Sequence, residues 1–130
     1  METHQKVIER YEAASVVDDF GAMGRLRHPA WQMLWPQSGE IVRGHGNYVA
    51  LRTHRPEGGP RVESLRHGGS GDNWWSEIVI HYRDGSRWLG ITLYEFDGDL
   101  IRSERVYFGQ PFPAPPWRAQ WVEKGEPAVH

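Results

Sequence analysis

The sequence predicts an α+β fold in which helices come first and pack on one face of a curved antiparallel sheet. Three observations carry this. Apolar residues recur at helical spacing near the start, and from Arg61 onward the period changes to two. Asp84-Gly85 and Asp97-Gly98 separate long alternating runs, and Asp-Gly is a strong hairpin signal.

Val7, Ile8, Tyr11 and Ala14 form one helical stripe, with Glu9, Arg10 and Glu12 on the other side. A second helix starts at Asp18 or Asp19, carries Phe20, Met23 and Leu26, and ends before His28-Pro29, because the residue ahead of a proline avoids helical backbone. Helices thus occupy about 4–27. A strand Trp31–Trp35, a turn at Gln37-Ser38-Gly39 and a return strand Glu40–Arg43 place sheet at about 30–44. Asn47 caps a third helix, 47–54, stopped by Arg55-Pro56. The rest of the sheet spans about 61–109. It holds Arg61–His67, then a flexible Gly68–Asp72 connection, then Asn73–Arg83, Ser86–Phe96 and Leu100–Phe108. The tail, 110–130, opens Pro111-Phe-Pro-Ala-Pro-Pro and cannot continue a strand. Trp117 and Trp121 are expected to pin it to the body.

A chain of 130 residues is expected to form a single domain over 1–130. Its net charge is −2 with both signs interspersed, so no basic stripe points to nucleic acid. The apolar runs are too short to span a membrane. The opening METHQKVIERYEA lacks a signal peptide's apolar segment, so the expected setting is the cytoplasm. With no cysteine, disulfides, thiolate catalysis and Cys-ligated zinc are excluded. The seven histidines, at 4, 28, 45, 54, 67, 81 and 130, form no chelating pair. Glu77 and His81 stand roughly 13 Å apart along one strand. No metal and no cofactor is expected: Gly44-His-Gly46 lacks the lysine of a phosphate loop, no serine sits in a nucleophile elbow, and Glu77 and Glu104 fall on opposite faces, against a glycosidase pair.

Taking Asp84-Gly85 as a two-residue turn opposes Ile78 to Ile91, and alternation then sorts the sheet onto two faces. One face collects Ile78, Ile80, Tyr82, Leu89, Ile91, Leu93, Leu100, Val106 and Phe108, the expected core. Arg102 and Glu104 fall on it too. A carboxylate among aliphatic groups loses hydration unless paired, hydrogen-bonded or neutral. Glu104 is therefore either a general acid/base with a raised pKa, or half of an internal ion pair with Arg102 or with an arginine from a helix. The other face gathers Trp75, Glu77, Trp88, Tyr94, Arg105 and Tyr107. Seven Trp and five Tyr are a large aromatic load, and such a face suits a homodimer interface, or else lies under the tail.

This layout resembles the nuclear transport factor 2-like (NTF2-like) cone fold, and within it the SnoaL-like, polyketide cyclase-like group. The stretches WPQSGEIVRG (Trp35 to Gly44), EIVIHYRDG (Glu77 to Gly85) and SERVYFGQPFPAPPWRAQWVE (Ser103 to Glu123) carry the resemblance. It implies a cone wrapped by the three helices around an apolar pocket, in a dimer packed through the outer sheet. Trp31, Met33 and Trp35 would form one wall, with Phe20 and Ile91 lining it. Gln37 and Ser38 would sit at the rim, as hydrogen-bond donors to a ligand or as an ordinary turn. Members of this group act on apolar, often cyclic small molecules by acid/base chemistry, or only bind them. The typical Asp, His or Tyr/Asp catalytic sets find no match here, and position 30 is Ala. Glu104 is left as acid/base, Tyr11 as its hydrogen-bond donor and Arg102 as the group that tunes it.

Overall fold

The computed structural model describes residues 3–125. Helix α1 (His4–Val16) starts on the Thr3 side chain, which accepts from Lys6 N–H. Helix α2 (Phe20–Leu26) starts on Asp19, whose carboxylate accepts from Ala22 N–H. Strands β1 (Arg27–Trp35) and β2 (Glu40–Arg43) form a hairpin. Helix α3 (His45–His54) follows at once, two residues earlier than the sequence suggests. Gly44 at φ +86° turns the chain into it, while the Asn47 side chain donates to the Arg43 carbonyl. Strands β3 (Arg61–Ser70), β4 (Asn73–His81), β5 (Arg87–Asp97) and β6 (Leu100–Gly109) complete the curved sheet.

The strand order is β2-β1-β6-β5-β4-β3. Every pair is antiparallel except β1 with β6, which run parallel because helices and a hairpin intervene between them. The glycine-rich connection after His67 is strand up to Ser70, paired with Asn73 across a tight turn.

The β4–β5 turn differs from expectation, and the consequences are large. Tyr82 N–H donates to the Ser86 carbonyl, Gly85 N–H to the Tyr82 carbonyl, and the Asp84 carboxylate takes the Ser86 amide and hydroxyl. Five residues make the loop, so the last pair is His81 with Arg87, and Ile78 faces Gly90 rather than Ile91. A one-residue slip inverts a strand. Ile91, Leu89 and Leu93 therefore point outward and are exposed, while Trp88, Thr92 and Tyr94 point in. In β6 a bulge at Arg102 breaks the alternation: Glu95 pairs with Ser103 and Phe96 with Ile101. Ile101 and Glu104 both turn inward, and Arg102 and Leu100 leave the core face.

Two clusters fill the interior. Val7, Ile8, Tyr11, Met23, Leu26, Trp31, Phe96 and Ile101 close the narrow end, where α1 and α2 meet the sheet. Ile78, Ile80 and Val106 form a smaller cluster, with Trp88 and Phe108 packed against it. The tail after Gly109 ends in a 3₁₀ turn, Pro116–Trp121. Phe112, Trp117 and Trp121 on it are more than 70% exposed, so neither tryptophan pins the tail. Residues 126–130 of the expected tail, including His130, lie outside the described residues.

Candidate active site

Between α1, α3 and the inner sheet face lies a cavity of about 530 Å³, within the range of small-molecule sites. Its middle is walled by Met33, Val62, Ile78, Ile80 and Val106, its mouth by Trp35, Tyr82, Trp88 and Phe108. Polar groups collect at the closed end, where Tyr11, Arg27, Tyr48, Thr92 and Glu104 reach it.

Glu104 projects inward from β6, opposite Tyr94 on β5 and beside Met33 on β1. It is 3% exposed. Its Oε2 accepts from the Tyr11 hydroxyl and from the Trp31 indole N–H at 2.9 Å. Arg27, buried at the α2–β1 junction, brings Nη2 to 3.8 Å from the same oxygen. Arg27 Nε donates to the Tyr11 hydroxyl at 2.7 Å, and the guanidinium lies on the Trp31 ring (3.7 Å) and the Tyr48 ring (4.1 Å). No hydrogen bond among the described residues reaches Glu104 Oε1. The carboxyl is thus gripped by one oxygen.

Burial dominates the electrostatics. Loss of hydration raises the Glu104 pKa, against the pull of Arg27, Tyr11 and Trp31. Burial, then the neighbouring Glu104, pushes the Tyr11 hydroxyl well above its usual range, so it stays protonated and donates. Tyr94, raised mainly by burial and then by Glu12, donates to Glu12 at 2.9 Å.

Of the residues singled out in the sequence, Tyr11, Met33, Trp35, Ser38 and Glu104 line the cavity. Trp31 lies behind it as a donor to Glu104, and the half-buried Phe20 packs edge-on against Tyr48. Gln37 does not line the cavity: its amide oxygen takes the Phe108 N–H and its nitrogen donates to the Phe108 carbonyl, which fastens the β1–β2 turn to β6. Ile91 is outside, for the register reason given above. Arg102, displaced by its bulge, bonds the Asp97 carboxylate at 3.3 Å on the surface and cannot tune Glu104. Arg27 takes that place, so the arginine comes from the helix junction. Trp75, Glu77, Arg105 and Tyr107 do lie on the outer face, whereas Trp88 and Tyr94 belong to the cavity. Arg27, Tyr48 and Thr92 escaped the sequence reading as site residues. Only Arg27 carried a hint, as a cation just ahead of a proline-broken helix end. Among the described residues no cluster of His, Asp or Glu could hold a metal, and no helix is long and apolar enough to cross a membrane.

Fold and site together define a cone-shaped α+β protein whose sheet curls around a small-molecule-sized cavity with a buried carboxyl at its closed end. No family model and no curated protein matches the sequence. Solved structures do. An NTF2-like protein of unknown function from Burkholderia xenovorans LB400 is 34% identical over 95% of each chain, with a TM-score of 0.82. A candidate ketosteroid isomerase from Kribbella flavida DSM 17836 is 17% identical over 95% of this chain and 90% of its own, with a TM-score of 0.83. A protein of cystatin-like fold from Methylobium petroleophilum PM1 is 16% identical over 95% and 93%, at 0.69. The last two are similar in fold alone. The chain belongs to the NTF2-like superfamily.

Proposed function

We propose that this chain is a cytoplasmic SnoaL-like enzyme that binds an apolar small molecule in the cone and moves a proton on it through Glu104. Isomerisation, cyclisation and dehydration are the reaction types that such a step serves. The observation that carries the reading is the one-sided grip on Glu104. Oε2 holds two donors, Oε1 accepts none from the described residues, and the group reaches the cavity next to its apolar middle. A carboxyl kept from water, with its pKa raised by burial, is suited to take and return a proton. Tyr11 and Trp31 fix its orientation, and Arg27 limits how far burial favours the neutral form.

The test begins with whatever molecule co-purifies in the cone or is found by screening apolar cyclic compounds. Glu104→Gln should lower turnover of that compound by about 10²–10⁴-fold with the circular dichroism spectrum unchanged. An unaltered rate would remove the proposal. A second reading, a binding module without chemistry, draws on the closeness of Arg27: the pair then only neutralises itself, and ligands bind without being changed.

We also propose a homodimer through the outer sheet face. Leu89, Ile91, Leu93 and Tyr107 are each 41–45% exposed there, between Trp75 and Arg105, a patch that favours cover by a second copy. Sedimentation should give a dimer at micromolar concentration that Ile91→Asp converts to monomer. A monomeric parent protein would dispose of this.

A further inference from the structure

His45 lies behind the cavity wall, at the first position of α3, and touches no part of the cavity itself. We infer that it is a positioning residue whose neutral imidazole locks Arg27 in place, so that one proton on His45 unlocks the closed end of the cone. The inference rests on the reading of Glu104 and Arg27 as the working site, and it concerns how that site is controlled.

Arg27 Nη1 lies 2.8 Å from His45 Nδ1. A guanidinium has only donors, so Nδ1 must be the acceptor and the ring hydrogen belongs to Nε2. The Phe20 backbone lies close enough to the ring to favour its charged form slightly. The guanidinium is then fixed from two sides: Nη1 to His45, Nε to the Tyr11 hydroxyl, which in turn donates to Glu104. The chain of contacts is continuous from the edge of α3 to the catalytic carboxyl.

The surroundings are shaped for this ring. A Cβ on Gly24 of α2 would come within 2.8 Å of His45 Nε2 and 2.9 Å of Cδ2, so any side chain there would displace the imidazole. Gly44, in the left-handed region, sets the ring's starting point.

Protonation has little to offset it beyond the Phe20 backbone. From β1 the ring faces Arg27. From α2 it faces the Phe20 backbone and Gly24, while the Arg25 guanidinium lies against Gly21 instead. Its own helix offers Tyr48, which stacks on Arg27, and the positive end of the helix dipole. No carboxylate among the described residues lies within ion-pair distance. Burial, then the Arg27 charge, lowers the His45 pKa. Once charged, the ring can no longer accept from Nη1 and repels the guanidinium, which also loses its hold on Tyr11.

The experiment uses the intact, ligand-free protein and nitrogen-15 NMR of the arginine side chains, with the His45 ring proton as its own titration indicator. In the wild type the slowly exchanging Arg27 resonances should disappear with the same midpoint at which His45 charges. His45→Asn keeps an acceptor that cannot titrate, so the resonances should persist through that range. His45→Leu and Gly24→Ala should lose them at every pH. Arg27 signals that persist while His45 charges, or that vanish in His45→Asn, would overturn the inference. Should the Leu or Ala variant fail to fold, the wild-type titration alone decides. The two proposals fail separately. An active Glu104→Gln removes the chemistry and leaves the lock, while a pH-insensitive Arg27 removes the lock and leaves the chemistry.

Discussion

The two ends of the cavity are built on opposite principles. At the closed end, polar groups are buried and nearly all matched to one another: Glu104 to Tyr11 and Trp31, Arg27 to Tyr11 and His45. Away from that end, Ile78, Ile80, Val106 and Trp88 line empty space where a core would place more side chains, with charged residues such as Glu40, Arg55 and Asp84 also on the walls. The closed end is rigid because each member loses a partner if another moves, which is costly where water cannot substitute. The rest of the cavity tolerates change better because its wall side chains are packed on one side only and border open space on the other.

Breaking the closed end should have the largest effect on folding. Arg27→Met leaves a buried carboxyl without its cation and Tyr11 without a donor. Removal of one partner from a buried pair typically costs about 3–5 kcal/mol. Urea denaturation should show it, and Glu104→Gln added to Arg27→Met should recover part of the loss. A cost below about 1 kcal/mol would mean that the pair does not hold this end together.

Next in size is a contrast between two isoleucines. Ile8 on α1 is fully buried at the closed end, and Ile80 on β4 borders the cavity. Ile8→Ala should cost about 2–5 kcal/mol, since it opens a void in packed surroundings. Ile80→Ala removes the same atoms but only enlarges an existing space, so it should cost less than half as much by the same denaturation measurement. Equal costs would show that the two ends are packed alike.

Much of this division was legible in the sequence and some was not. Helical stripes on Val7, Ile8 and Tyr11, and alternation along Ile78 and Ile80, follow from local periods that nothing overrides. Glu104 stands out because a lone acid in an aliphatic run is anomalous wherever it sits. Its setting does not. Alternation offers Arg102, two residues away, as its partner, because the bulge that ejects Arg102 depends on how β5 meets β6. The whole of β5 was inverted for one reason: Asp84-Gly85 suggests a two-residue turn, yet the Asp84–Ser86 hydrogen bonds stabilise a five-residue one. Arg27 was hard to single out because its role depends on residues far along the chain.

A smaller effect sharpens the comparison through pH. The Glu104 pKa is raised above the ordinary 4.5, so the folded state holds the proton more tightly than the unfolded state. The stability this group contributes is fully present below the unfolded value and is lost as pH rises through the folded one. Glu104→Gln has no such dependence. The melting temperature of Glu104→Gln relative to wild type should therefore climb as pH increases above about 4.5. A difference that stays flat or falls would mean that Arg27 outweighs burial.

The smallest expected change in folding comes from outside the cavity. By simple alternation from a two-residue turn, Ile91 belongs to the core, and placing an aspartate there would bury an unpaired charge at a cost of several kcal/mol. By the observed register it stands on the outer face beside Leu89 and Leu93, across from Glu77 on β4, and is 45% exposed. Ile91→Asp should then cost monomer stability about 1 kcal/mol, from poor strand propensity and repulsion by Glu77 opposite, well short of the cost of a buried charge. Measured below any dimer dissociation concentration, this single variant separates the two registers. A loss of that modest size fixes Trp88, Thr92 and Tyr94 as the residues that β5 gives to the cone. A large loss would return them to the outside and take away half of the cavity wall.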